Sequence, residues 1–367
     1  MNDKKKEPLF HIVKRDALLW YQSVGIRAIA IVLALIVCAV VTMILTGTNP
    51  IQVFQSIIAG AFGSARKTWI TFQNIAILLL ISLALTPAFK MKFWNIGGEG
   101  QVLIGGLASA ACMICLAEKL PAALVVVCMI VTSIAAGAFW AFIPAFFKAK
   151  WNTNETLSTL MMNYIATQLV AFFTIVWEVP KGSGKIGIIN QNSNVGWLPQ
   201  AFGSKYLLSI LVAVLITVFM YIYLKYSKHG YEISVVGESE NTAKYVGIKV
   251  EKVIMRTMAL SGAVCGLVGL LLVGGINHTI TTTIAGGQGF TAVMVSWMSK
   301  FNPLTMVFSS FLIIFMKRGA SEISTNFGLN QSFSDILTGI ILFFIIGCEF
   351  FIAYQLQSRK KAAKEVQ

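Results

Sequence analysis

Charge is what this sequence has least of. Asp, Glu, Lys and Arg make up 12% of its 367 residues, where a soluble domain carries roughly 25%. That excludes a soluble enzyme and a disordered chain. The net charge of +14 does not point to nucleic acid either, because the bases sit between apolar runs rather than on one face. Histidine is nearly absent: His11, His229 and His278 are widely separated. There is no Ser/His/Asp order, no paired acids at useful spacing and no Walker-type phosphate loop. The chain is therefore expected to be no enzyme and to bind no cofactor, ATP included. Acids near apolar runs (Glu99, Glu155, Glu178, Glu349) lie at run ends, whereas an ion-coupled carrier more often buries acids mid-span. The six cysteines all lie inside apolar runs. Cys112 and Cys115 form a C-x-x-C with no second pair or histidine near it, so they are taken as packing residues and no metal site is expected.

What is abundant is apolar surface. Hydrophobic residues reach 56%, and mean hydropathy is +0.75. A bilayer-spanning helix needs ~20 mostly apolar residues. Ten runs qualify: 24–46, 69–88, 101–117, 121–147, 155–178, 205–225, 253–276, 288–300, 303–317 and 335–357. They are continuously apolar without period-2 alternation, which excludes a β-barrel. The expected fold is all-α, a polytopic membrane protein of about ten transmembrane helices. The expected organisation is a cytoplasmic segment 1–23, a transmembrane domain 24–357 with a cytoplasmic loop 226–252 inside it, and a cytoplasmic tail 358–367.

Cytoplasmic loops collect Lys and Arg. With ten crossings and both termini inside, only Arg66, Lys67, Lys119, Lys181, Lys185, Lys205, Lys317 and Arg318 of the 29 bases fall outside. Segment 49–66 places Ile51, Phe54, Ile57 and Ile58 at helical spacing, which predicts a short helix at the outer interface. Two stretches echo each other: NIGGEGQ at 95–101 and IAGGQGF at 284–290. They lie five spans apart, and an odd offset inverts the second copy. An inverted repeat with broken helices is a transporter signature; chance recurrence of glycine is the alternative.

Three motifs carry the functional expectation. In FWNIGGEGQVLIGG (93–106), Gly97, Gly98 and Gly100 allow turns that other residues resist. Non-helical backbone at membrane depth must be buried in protein or line a cavity. Asn95, Glu99 and Gln101 are thus either part of the wall of a solute path or groups that cap a helix start. In NTNETLSTLMMNY (152–164), Thr153 or Asn154 can cap the fifth span and Glu155 suits its first turn. Thr159 and Asn163 share one helical face, on a solute path or in a helix–helix contact. In GESENTAKYVGI (237–248), Ser239 can cap a short helix, Glu240 suits its first turn and Gly247 can end it. Such a helix on the inner face would dock a soluble partner, with Ala243 on the surface that faces it.

At these motifs the chain resembles the permease subunit of ATP-binding-cassette importers, in the ribose and branched-chain amino acid type and its nucleoside and simple-sugar branch. FWNIGGEGQ is similar to that branch's F-N-I-G-x-E-G-Q with Trp94 added. NETLSTLMMNYIA (154–166) is similar to N-E-x-x-x-T-L-M-x-N-Y-I-A. GESENTAKYVGI followed by LSGAVCGLVGL (260–270) resembles the ATPase-coupling loop and the span after it, with Asn241-Thr242-Ala243 where other importers have Glu-Ala-Ala. The resemblance runs from about residue 25 to 355. It implies a path for a nucleoside or simple sugar past Asn95, Glu99, Gln101, Thr159 and Asn163. It also implies coupling through Gly237, Glu238, Glu240, Ala243 and Gly247. The implied partners are a cytosolic ATPase that carries the ATP, a second and different permease chain and an extracellular solute-binding lipoprotein, all at the bacterial plasma membrane. An ion-coupled secondary transporter and a membrane enzyme for lipid-linked sugars are the alternatives.

Overall fold

A computed structural model describes residues 10–15, 19–47 and 49–358. Residues 1–9, 16–18 and 359–367, which hold most of the two expected terminal segments, lie outside the described residues. The order is β1 (Phe10–Lys14), α1 (Trp20–Thr46), α2 (Pro50–Phe62), α3 (Ala65–Lys90), α4 (Gly98–Leu116), α5 (Ala122–Trp151), α6 (Glu155–Val176) and α7 (Leu207–Tyr226). Then follow α8 (Lys228–Glu238), α9 (Glu240–Tyr245), α10 (Val250–Leu270) with a π-helical end at Leu271–Asn277, α11 (Gln288–Met298), α12 (Pro303–Asn326), α13 (Gln331–Ala353) and β2 (Tyr354–Ser358). Among the described residues, nine helices are long and apolar enough to cross a bilayer. The protein is a polytopic all-α membrane protein. Nine of the ten runs became these helices. The run 288–300 became α11, whose 11 residues reach only ~16 Å against a hydrocarbon core of ~30 Å.

The chain falls into two compact units: residues to Lys67 with those from Phe315 onward, and Thr68–Ile314. In the first, α1 packs along α13 and Arg27 pairs with Glu349 at 2.7 Å. Strands β1 and β2 pair antiparallel, Phe10 opposite Ser358 and Lys14 opposite Tyr354. The last helix therefore stops at Ala353, short of the expected 357, because the next residues enter this ladder. Helix α2 forms where expected, with Asn49 as its cap and Pro50 at its first position. Its buried face is Val53, Ser56, Ile57, Gly60 and Ala61, while Ile51 and Ile58 are exposed. Gly60 lies against the backbone of Arg318 and Ile57 against Gly319, on the end of α12.

In the second unit, α3 is buried on all sides from Ile75 to Phe89. A helix apolar all round belongs in such a centre. Beside it α4, α5 and α10 pack backbone to backbone. A β-carbon on Gly266 would collide with Ser133 O, one on Gly105 with Gly266, one on Gly262 with Gly137 O, and one on Gly269 with Val102 O. Lipid removes the hydrophobic drive between helices, so close approach at small residues does the work.

Outside the helices, segment 179–204 is held by its own turns. Asn190 Nδ2 donates to Met113 O and Val195 O, and Trp197 Nε1 donates to Ile189 O. Leu198 N–H donates to Gly274 O in the π-helical end. The ring of His278 stacks flat on Trp197, centroids 3.8 Å apart.

Candidate functional site

The turn from α3 into α4 is where helical backbone gives out, and side chains replace the missing bonds. Asn95 is fully buried. Its Oδ1 accepts the Gly97 N–H at 3.0 Å and Gln101 Nε2 at 3.2 Å, and its Nδ2 donates to Ser261 Oγ on α10 at 3.1 Å. Helix α6 supplies the rest. Its cap is Asn154, whose Oδ1 accepts the Leu157 N–H, and Glu155 in its first turn pairs with Lys148 at 2.9 Å. This sets Thr159 Oγ1 to accept the Ile96 N–H at 3.2 Å. Four residues on, Asn163 accepts the Gly100 N–H at 2.8 Å and donates to Ile96 O at 2.9 Å. Gly100 has no space for a side chain, since a β-carbon would sit 2.9 Å from Asn163 Cα.

Asn95, Gln101, Thr159 and Asn163 are thus brought into one buried block, 0–5% exposed. Most of their polar atoms are spent on each other, on Ser261 and on backbone, while Gln101 Oε1 is buried without a hydrogen-bond partner. Glu99 stands apart. One carboxylate oxygen accepts the Gly287 N–H at 2.9 Å and the other the Gly289 N–H at 2.7 Å, at the start of α11. The two glycine echoes of the sequence, at 97–100 and 286–289, meet in space. At the other end of α11, Trp297 stacks on Trp94 with centroids 5.2 Å apart, backed by Phe89 and Phe301. Nothing in the sequence pattern tied those four rings together.

The expected inner helix is present as α9. Ser239 Oγ accepts the Thr242 N–H at 3.2 Å, and Gly247 lies at φ +86° just past its end, a conformation glycine takes without cost. Glu238 and Glu240 flank Ser239 on the exposed side. Gly237 touches the α3 end so closely that a β-carbon would collide with Lys90 O. A cavity of about 140 Å³ opens here, lined by Met91, Lys92, Lys148, Glu155, Glu238 and Glu240 among others. Ala243 requires a correction. It is fully buried against the cluster of Ala88, Met91, Phe93, Val236 and Val253, so its side chain seats the helix and is not on the exposed surface. The outward apolar residues are Tyr245, 94% exposed, and Val246, 60% exposed, beside exposed Asn241, Thr242 and Lys244.

The family described as branched-chain amino acid transport system / permease component matches residues 68–346. A guanosine ABC transporter permease of Bacillus subtilis is 30% identical over 86% of this chain and 91% of its own length. A nucleoside ABC transporter permease of Lactococcus lactis is 26% identical over 92% of this chain and 94% of its own. A glucose ABC transporter permease of Haloferax volcanii is 27% identical over 76% of each. With the match spanning both the α3–α4 turn and helix α9, the chain belongs to the family of permease components of branched-chain amino acid-type transport systems.

Proposed function

We propose that this permease subunit of an ATP-binding-cassette importer carries nucleosides, with simple sugars as the second class. The observation that carries the choice is coverage. The guanosine and nucleoside permeases align with 86% and 92% of the chain, and the glucose permease with 76%. The buried block of Asn95, Gln101, Thr159 and Asn163, with Glu99 beside it, frames the wall of the solute path. The exposed tip of α9 meets a separate cytosolic ATPase. Gly237 and Ala243 seat that tip, Gly247 ends it, and Glu238 and Glu240 stand at its edge. A second, different permease chain and an extracellular solute-binding lipoprotein complete the complex. This chain binds no cofactor itself, and the ATP sits on the partner.

Topology supports the placement. Nine crossings would leave the chain ends on opposite faces, whereas β1 and β2 pair side by side. A tenth crossing through 279–298, with α11 as its helical half, restores an even count. The distribution of the bases then supports both ends in the cytoplasm of a bacterial cell. The contact of the two glycine echoes supports an inverted repeat related about that point.

The test is uptake in a strain lacking this chain, with radiolabelled guanosine, uridine, ribose and glucose. Expected is loss of nucleoside uptake, restored by the chain. Loss of sugar uptake alone, with both nucleosides unaffected, would overturn the assignment.

A further inference from the structure

Helix α11 is a short rod between two bends. Gly286 and Gly287 lie at φ +61° and +70° before it, and Lys300 and Phe301 at φ +48° and +61° after it. Left-handed backbone is uncommon for residues other than glycine, and such positions at element ends are where hinges absorb their φ/ψ change. The same segment holds both ends of the rod. Trp94 stacks on Trp297 at one end, and Glu99 takes both the Gly287 and Gly289 N–H groups at the other. Gly289 leaves no room for adjustment: a β-carbon there would sit 2.7 Å from Glu99 Cα. Both oxygens of one carboxylate are committed to one helix start, the favourable end for negative charge.

We infer that α11 is a gate of the solute path and that Glu99 is the positioning residue that holds it closed. This rests on the chain being the transport subunit described above. Glu99 acts through α11 and touches no solute in this role. When the gate opens, α11 pivots on its two bends, and the Gly287 and Gly289 N–H groups leave the carboxylate together. A glutamine at 99 keeps the size but offers one acceptor oxygen in place of two. A methyl at 289 pushes the same contact apart from the other side.

The experiment uses the complete transporter in vesicles loaded with labelled guanosine, and in parallel with labelled ribose, without ATP. Glu99→Gln and Gly289→Ala are each expected to raise the passive leak roughly tenfold, the factor for about one charge-assisted hydrogen bond. The double variant is expected to leak no more than the leakier single one, because both break one contact. Wild-type tightness in both single variants overturns the inference. So do leaks that multiply in the double variant. If Glu99→Gln does not assemble, Gly289→Ala decides alone. A wild-type complex that accumulates neither solute on ATP counts against the importer assignment instead, while the leak comparison still decides the gate.

Discussion

At Asn163, one amide serves two backbone groups that no helix can satisfy. Replacing it with leucine leaves the Gly100 N–H and Ile96 C=O buried and unpaired, at roughly 1–3 kcal/mol per group. Asn163→Leu is expected to lower the melting temperature of the purified protein by several degrees and to depress uptake with it. Unchanged melting would mean that water or another donor takes over. The α9 tip gives a second contrast. Tyr245→Ala removes an exposed ring and should leave folding intact while weakening ATPase co-purification about tenfold or more, as expected of a tyrosine hot spot. Ala243→Arg should unseat the helix, because that side chain has no solvent path. Normal ATPase binding by Tyr245→Ala would show that another surface docks. Sequence identified the cap, the length and the end of this helix, since those follow from local chemistry at Ser239 and Gly247. Which side faced out was not legible, because six residues carry too little periodicity and the burial is set by α3 and α10.

Among elements, the glycines of α4, α5 and α10 are where these helices meet backbone to backbone. They recur at spacings of three and four in LSGAVCGLVGL, yet only the partner helices show which face they serve. Gly266→Ala is expected to cost about 1–3 kcal/mol as overpacking against Ser133, read as a lower melting temperature in detergent. An unchanged value would mean that the helices can part without loss. The long spans were legible because continuous apolar runs of this length have one solution in lipid. Helix α11 was not, since composition does not reveal where a crossing is broken. The clamp between Trp197 and His278 is a further element-level feature. Burial, and then nearby Lys205, push the His278 pKa below its ordinary value. The folded state thus prefers the neutral ring, so its stabilisation is present above about pH 6.5 and is lost as pH falls through the lower folded value. Tryptophan fluorescence should report release of segment 179–204 on acidification, and His278→Ala should remove that transition. A transition that persists in His278→Ala would assign it to another group.

For the whole molecule, the power source is the decisive property. The described residues hold nine long apolar helices, tight glycine contacts among α4, α5 and α10, and an exposed α9 tip. The sequence holds no phosphate-binding loop. Family membership supports the proposal that a separate ATPase is the engine. The most direct test is accumulation of labelled guanosine in vesicles carrying this chain, its partner permease and the binding protein, with and without the ATPase. The expected result is ATP-dependent accumulation only when the ATPase is present. Accumulation of equal size without it, driven by a proton or sodium gradient, would contradict the permease assignment outright.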